Sequence, residues 1–293
     1  MAKVTIGVPV YNAADYLDAA LKSLSEQTCK DMEILVSDNA STDATRDIVA
    51  LWMEKDGRIR YHLQNENMGA LANFDWLIRN AQSHWFMFAA HDDLRSPNYV
   101  EALLQAAESH PGVQLAVPEV QLMNENGEVF ASYPYHPDME NHSGLLRIFA
   151  LFRHVRSAWH YALYDRVAQI AAWEKLMAYG HAWGNDFIML LPFLLSGRIA
   201  GANEAVFYQR ITKASEARYK PKTLKDQAVL LRDFLRMSLS ILWRSPMPVY
   251  LKFMLFPRVV YYASERSWRI SRLLRHSLKA LVLRMVGKGK NVP

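Results

Sequence analysis

The sequence predicts an α/β fold: a mostly parallel sheet with helices on both faces, followed by a helical, basic C-terminal extension. Three observations predict it. Through the first 125 residues, apolar strand signals alternate with amphipathic helix signals, and a βαβα rhythm is satisfied by a parallel sheet covered on both sides. The strands are short and apolar without strict alternation, which fits burial of both faces. Beyond residue 140 the pattern turns helical, and from Arg244 onward it is strongly basic.

The elements follow in order. VTIGVPV (4–10) reads as a strand, ADYLDAALKSLSEQ as an amphipathic helix, and MEILVSD (32–38) as a second buried strand closed by the turn NASTD. TDATRDIVALWMEK is a helix with Ser41 or Thr42 placed to cap it. RIRYHL (58–63) alternates as a third strand, and GALANFDWLIRNAQ follows as a helix. WFMFAA (85–90) is a fourth strand ending in HDD, and Pro97 sits at the start of the helix PNYVEALLQAAES. QLAVPEVQLM and VFASYPY flank NENG, a hairpin turn signal. LLRIFALFRHV, DRVAQIAAWEKLM and TLKDQAVLLRDFLRMSLSILW are helices, and Pro221, Pro246, Pro248 and Pro257 punctuate the region after Arg218. The expected division is a sheet domain over 1–218 and a helical extension over 219–293.

Composition narrows the function classes. An aromatic content of 12% in 293 residues excludes general disorder. One cysteine, Cys29, excludes a disulfide framework and a multi-cysteine metal site, and suits a reducing compartment. No 18-residue apolar run marks a spanning helix. The single lysine followed by VTIGVPVYN does not read as a signal peptide. Charge is split along the chain. From Arg244 to the end eleven Lys/Arg stand against Glu265 alone, a net +10 in a chain of net +5, so residues 1–243 carry −5. A basic end on an acidic body points to an anionic partner, membrane or nucleic acid.

Ligands of open parallel sheets bind at the carboxyl ends of the strands. Three strands deliver polar residues there: Tyr11 and Asn12, Asp38 and Asn39, and Asp92 and Asp93. The G-x-G-x-x-G and G-x-x-x-x-G-K-[ST] patterns are absent, which argues against a dehydrogenase or P-loop NTPase. A carboxylate-lined crevice without a glycine phosphate loop needs a cation to hold a pyrophosphate, and hard divalent cations choose oxygen ligands such as Asp93.

Taken in order, VTIGVPVYNAADYLDAALKSLSEQT, MEILVSDNASTDAT, NENMGALANFD and WFMFAAHDDL resemble the family 2 glycosyltransferases of GT-A fold, over roughly the first 215 residues. The resemblance implies roles. Pro9, Tyr11 and Asn12 form part of the nucleotide pocket, and Asp38 accepts a hydrogen bond from the base. Asn67, Gly69 and Asn73 belong to the segment passing beside the nucleotide. Asp92 and Asp93 correspond to a DxD-type motif, Asp92 toward the ribose and Asp93 toward a divalent metal, Mn or Mg. HAWGNDFIMLLPFLLSGRIAG matches the family's acidic motif, making Asp186 the general base of an inverting displacement. Two departures stand out: His91 replaces a frequent acid, and Thr212 stands where relatives often carry the histidine of Arg-x-His, leaving Arg210 as phosphate partner. The bland reading of Asp186 is a helix N-terminal aspartate, with Glu174 and Asp165 nearby in sequence. His91, His160 and His181 read as structural or solvent-facing, and Trp183 either as core or as a sugar platform.

The tail has its own pattern. Between Ser264 and Val286, wound at about 100° per residue, Ile270, Leu273, Leu274, Leu278, Leu281, Val282 and Met285 share one side. Arg269, Arg272, Arg275, His276 and Lys279 share the other, and VYLKFMLFPRVVYY upstream adds apolar and aromatic bulk. Such a helix suits an anionic membrane surface; the competing reading is a helix packed on the body with a solvated basic face. No motif supports nucleic acid. Together with the resemblance, the expected protein is a metal-dependent, hexosyltransferase-type enzyme. It would move a sugar from a UDP- or dTDP-linked donor to a lipid-linked or cell-surface glycan, as a cytoplasmic protein peripheral on the inner face of the membrane. The alternatives are an inactive nucleotide-sugar-binding scaffold at the membrane and a sugar nucleotidyltransferase.

Overall fold

The computed structural model describes residues 2–212 and 221–267, with Leu273 and Ser277 as isolated helical positions. Among the described residues, nine strands form one sheet in the order β3-β2-β1-β4-β8-β6-β9-β5, with β7 paired to β6. The strands β1 (Val4–Val10), β2 (Met32–Asp38), β3 (Ile59–Leu63) and β4 (Trp85–Phe88) run parallel, separated by α1 (Leu17–Ser25), α2 (Thr45–Lys55) and α3 (Ala70–Asn80). The chain builds outward from β1 to β2 and β3, then returns to place β4 on the other side of β1. This reversal opens a crevice at the carboxyl ends of β1 and β4. Pro9 is accommodated in the central strand β1 because the β4 ladder stops at Gly7, so no partner on that side awaits an N–H two residues later.

Beyond β4 come β5 (Leu94–Arg95), α4 (Tyr99–Ser109), β6 (Leu115–Met123), β7 (Val129–Tyr133), α5 (Asp138–Asn141) and α6 (Gly144–His154). A 3₁₀ turn (Ser157–Tyr161), β8 (Leu163–Asp165), α7 (Arg166–Tyr179), α8 (Asn185–Ser196), β9 (Ile199–Arg210), α9 (Leu224–Arg244) and α10 (Val249–Arg266) complete the described chain. The sheet is mixed in this half: β8 is antiparallel to β4 and β6, whereas β6 and β9 run parallel over a long ladder. Every residue of β1 is buried, and the core gathers Phe86, Phe88, Tyr164 and Trp173 without solvent contact.

Three readings change against the structure. The first turn of α2 carries no side-chain cap from Ser41 or Thr42; Ala44 is the N-cap residue. Ser41 instead accepts the Asn12 N–H at 2.9 Å, and Thr42 N–H donates to Asn12 Oδ1 at 2.9 Å, so these residues tie the β2–α2 loop to the β1–α1 loop. The nominally helical stretch after residue 140 contains β8 and β9. Pro257 does not end a helix: it lies inside α10 on its exposed side, where loss of one N–H leaves a carbonyl to water. Of the 264–286 amphipathic pattern, the part after Ser267 lies outside the described residues, apart from Leu273 and Ser277, and the 218/219 boundary falls within 213–220, also outside them.

The inner faces of α9 and α10 join the same core as the sheet, through Phe234, Leu242, Leu255 and Val259. Gly201 in β9 shows how tightly the sheet is packed: a Cβ there would stand 2.1 Å from Tyr135 Cδ1, and that ring is 3% exposed. Gly201→Ala is therefore expected to cost about 2 kcal/mol or more through overpacking, read as a lowered urea midpoint. A midpoint equal to wild type would mean that the Tyr135 ring moves freely.

Candidate active site

The nucleotide-side residues sit where β1 and β2 end. Asp38 is buried, and its two oxygens accept from Ser41 N–H and Tyr61 Oη–H, each at 2.8 Å. The phenol of Tyr61 is pushed up by burial and by the Asp38 carboxylate. Asn39, also buried, donates from Nδ2 to Asn67 Oδ1 at 2.8 Å and accepts from Met68 N–H at 2.9 Å. Asn67 Oδ1 further accepts from Gly69 N–H at 2.9 Å. Gly69 begins α3 with φ +87°, a left-handed value that glycine adopts without strain. Asn73 turns inward: Nδ2 donates to Ser37 O at 2.9 Å and Oδ1 accepts from Ser37 Oγ–H at 2.6 Å. Both ends of its amide engage Ser37, so it fixes α3 on β2 and positions the Asn67–Gly69 turn. At the end of β1, Tyr11 is 46% exposed and Asn12 holds φ +49°. Two loops laced by Asn12 maintain that conformation.

The acidic pair follows β4. Asp93 is 4% exposed, and its Oδ1 accepts from Arg210 N–H at 2.8 Å; Oδ2 has no hydrogen-bond partner among the described residues. Burial holds the Asp93 carboxyl well above the usual carboxylate range, the charge of Asp92 adds to this, and the Arg210 N–H and the charges of Arg95 and Arg210 oppose it. A buried carboxylate beside a second one, with a free oxygen, is a site that gains by accepting a hard dication. Asp93 thus fits a divalent metal, with Asp92 next to it.

Arg210 is placed beside this pair. Its Nε donates to Asp92 O at 2.9 Å, its Nη1 donates to Glu125 O at 2.7 Å and Asn124 O at 3.2 Å, and the guanidinium lies 4.7 Å from the Tyr16 ring. The group therefore clamps the acidic loop to the β6–β7 hairpin and shares in the charge balance of Asp93. Beneath them, Arg95 is buried, with its Nε and Nη1 unpartnered and its guanidinium between the Tyr99 and Phe207 rings.

Asp186 lies in the first turn of α8, after Gly184 at φ +78°. A Cβ on Gly184 would meet Phe234 at 2.8 Å, so the α8 start is pinned against α9. The Asp186 side chain keeps 40% of its surface, with the rest covered by protein. That desolvation pushes Asp186 up to about 7 despite the helix N-terminus, which favours the charged form. The His160 ring, 5% exposed, presents Nδ1 3.9 Å from Asp186 Oδ1, with no hydrogen-bond partner. It stacks on Phe88 at 5.5 Å and 12°, and burial lowers it to about 4, so the neighbour of Asp186 is a neutral imidazole. The next residue, Tyr161, lies within the electrostatic reach of Asp93, Asp186 and Asp92 together.

His160, Tyr161 and Arg95 were not legible as site residues. Each is a single polar group in an aromatic or short-strand context, and only the fold brings them to the carboxylates. His181 pairs with Asp233 at 3.0 Å, and Trp183 donates from Nε1 to Ser267 O at 3.0 Å, so both brace α9 and α10. Among the described residues a separate trio, His136, Asp138 and His154, brings ligand atoms within 4.8 Å of one another. Its imidazoles are stacked at 4.1 Å and 11°, with parallel planes that do not converge on one ion, and Arg153 and Arg156 act on His154.

Doubly wound on one side of β1 and mixed on the other, with carboxylates at the carboxyl edge, the fold and site define a nucleotide-sugar-type α/β architecture. The Glycosyl transferase family 2 model matches residues 5–185, and the chain belongs to that family. It is 27% identical over 221 residues to glycosyltransferase GlyA of Streptococcus pneumoniae, covering 74% of this chain and 32% of that protein. It is 34% identical over 108 residues to the GalNAc(5)-diNAcBac-PP-undecaprenol beta-1,3-glucosyltransferase of Campylobacter jejuni, covering 36% of this chain and 35% of that one. The chain thus spans about a third of the length of these relatives. Among solved structures, S. aureus TarS 1–349 in complex with UDP-GlcNAc superposes with a TM-score of 0.66 at 14% identity, covering 90% of this chain and 73% of that one. Mannosyltransferase PcManGT from Pyrobaculum calidifontis, in complex with GDP-Man and Mn²⁺, superposes at 0.53 with 18% identity over 98% and 79%. At these identities the likeness concerns the fold.

Proposed function

We propose that the protein is an inverting, metal-dependent glycosyltransferase that moves a hexose-type sugar from a UDP- or dTDP-linked donor to a hydroxyl of a lipid-linked or cell-surface glycan. The observation that carries this reading is the buried Asp93 next to the half-buried Asp92, together with the desolvated Asp186, all three within electrostatic reach of Tyr161. Asp38 receives the base, the Asn67–Gly69 turn passes beside the nucleotide and Asp92 faces the ribose, with Tyr11 and Asn12 at the mouth. Asp93 would hold a Mn²⁺ or Mg²⁺ ion, and such an ion would supply positive charge against the leaving diphosphate. The acceptor oxygen attacks the anomeric carbon as the bond to the diphosphate breaks, and the hydroxyl proton passes to Asp186. A carboxyl near 7 suits that task, since a substantial fraction is ionised at neutral pH and that carboxylate is basic enough to take the proton.

Incubation with labelled UDP- and dTDP-sugars, Mn²⁺ and a membrane lipid extract tests the proposal. The expected result is Mn²⁺-dependent label in the lipid or polymer fraction from one donor. No incorporation from any donor by folded protein would contradict it and favour a binding scaffold.

Association with the inner membrane face is part of this reading. No described helix is long and apolar enough to cross a membrane. The outward side of α10 is apolar throughout: Val249, Tyr250, Phe253 and Met254 are 60%, 65%, 64% and 53% exposed. An apolar patch of this kind on a surface helix marks an interaction face, and aromatic residues with nearby cations suit a lipid interface. Phe253→Glu is expected to weaken vesicle binding by about tenfold, the worth of one aromatic side chain taken from water. Unchanged co-sedimentation would show that another surface makes the contact.

A further inference from the structure

Helices α6 and α10 enclose a cleft of about 540 Å³ whose lining includes Arg153, Arg258 and Arg266 with Phe152, Tyr261 and Glu265. Three cations thus face one acid. Among the described residues no carboxylate lies within ion-pair distance of any of the three. Arg258 is the most committed of them. Its guanidinium lies 5.8 Å from the Phe152 ring and 5.4 Å from the Tyr261 ring, and its Nε is buried without a hydrogen-bond partner. Arg266 is anchored by donation from Nη2 to Val155 O at 3.3 Å and by the Phe187 ring at 4.6 Å. Burial, together with the charges of Arg266 and Arg153, disfavours the cationic form of Arg258. Like charges gathered around an unpaired buried N–H are stabilised by an anion, and planar guanidinium forks match phosphate oxygens two at a time.

The position of the cleft identifies the source of that anion. Tyr261, 55% exposed, belongs both to the cleft and to the apolar outer side of α10 carrying Tyr250 and Phe253. A molecule with a phosphate at one end and hydrocarbon at the other satisfies both surfaces at once. We propose that the Arg153–Arg258–Arg266 cleft is a binding site for the phosphate headgroup of an anionic membrane lipid. The proposal rests on the membrane reading for the source of the phosphate and goes beyond it by naming a discrete site.

The full chain is tested by flotation with phosphatidylcholine vesicles, with and without phosphatidylglycerol. Wild type is expected to prefer the anionic vesicles. Arg153→Gln combined with Arg258→Gln should cut that preference by roughly tenfold or more while leaving binding to neutral vesicles in place. Arg232→Gln with Arg236→Gln removes the same charge from α9 and should cost clearly less. Arg153→Gln alone, at an exposed position, guards against misfolding of the double variant and should lose part of the preference. Equal losses in the two double variants would reduce the cleft to general surface charge and overturn the proposal. So would thermal stabilisation by inorganic phosphate or pyrophosphate that the cleft variants lose, without any vesicle preference: the site would then serve a soluble anion. Failure of wild type to float with any vesicle overturns the lipid assignment together with the membrane reading. Floating that depends on Phe253 but not on the arginines overturns the cleft alone.

Discussion

Asp186→Asn is expected to cut transfer sharply while leaving donor binding intact, and to stabilise the fold at alkaline pH. The amide keeps the size of the carboxyl but cannot take the acceptor's proton, so kcat should fall by about 10²- to 10⁴-fold with little change in the affinity for a nucleoside diphosphate. In wild type, kcat should rise with pH through about 7 as the carboxyl ionises, and the residual activity of the variant should lack that limb. The stability effect has a definite sign. The carboxyl titrates near 7 in the folded chain, against its ordinary 3.8, so between these values the folded state binds more protons than the unfolded one. Stability therefore falls as pH rises through this window, and the whole cost is present above it. Asparagine carries no charge, so the variant's Tm should exceed wild type at pH 8 and match it at pH 4. A Tm lower at pH 8 would mean that the ionised carboxylate is favourably held, against the desolvation derived above. Loss of donor affinity with intact chemistry would assign Asp186 to the donor instead.

Asp93→Ala should have an effect of similar size by a different route. The variant loses the buried oxygen that fits the cation, so the charge on the leaving diphosphate is unmet, and transfer should fall by about 10³-fold or more. Nucleoside diphosphate binding should weaken and lose its dependence on Mn²⁺. Folding should suffer little: the Arg210 N–H loses an acceptor, a cost of about 1 kcal/mol, while repulsion with Asp92 is relieved. Near-normal turnover in Mn²⁺ or Mg²⁺ would show that Asp93 is not a metal ligand.

Much of the nucleotide half was legible because its signals are local. β1, β2 and β4 are short, mostly apolar runs, each ending in or soon followed by polar residues at its carboxyl end. β9 was not, because Gly201, Asn203 and Glu204 break its pattern; the register against β6 slips between Pro118 and Glu119, so that Val206 rather than Asn203 follows Ala202 in the pairing. His160 and Tyr161 gain their meaning only when the 3₁₀ turn meets α8, a contact that no spacing encodes. The sequence of α10 is apolar nearly all round, and periodicity alone does not say which side is buried. The core chose Leu255, Val259 and Tyr262, leaving Tyr250 and Phe253 outside. Pro257 punctuates the sequence but lies inside α10 on its exposed side, where the carbonyl that loses its N–H partner can turn to water.

The most direct test of the central claim, a metal-assisted nucleotide-sugar site on this fold, is thermal unfolding of the full chain with UDP, dTDP, GDP and their sugars, in Mn²⁺ and in EDTA. A ligand at a hundred times its Kd should add about 2.7 kcal/mol, a readily measured rise in Tm. The account expects such a rise for a uridine or thymidine diphosphate in Mn²⁺, its loss in EDTA and in Asp93→Ala, and its retention in Asp186→Asn. No shift with any nucleotide, or equal shifts in Mn²⁺ and EDTA, would contradict it.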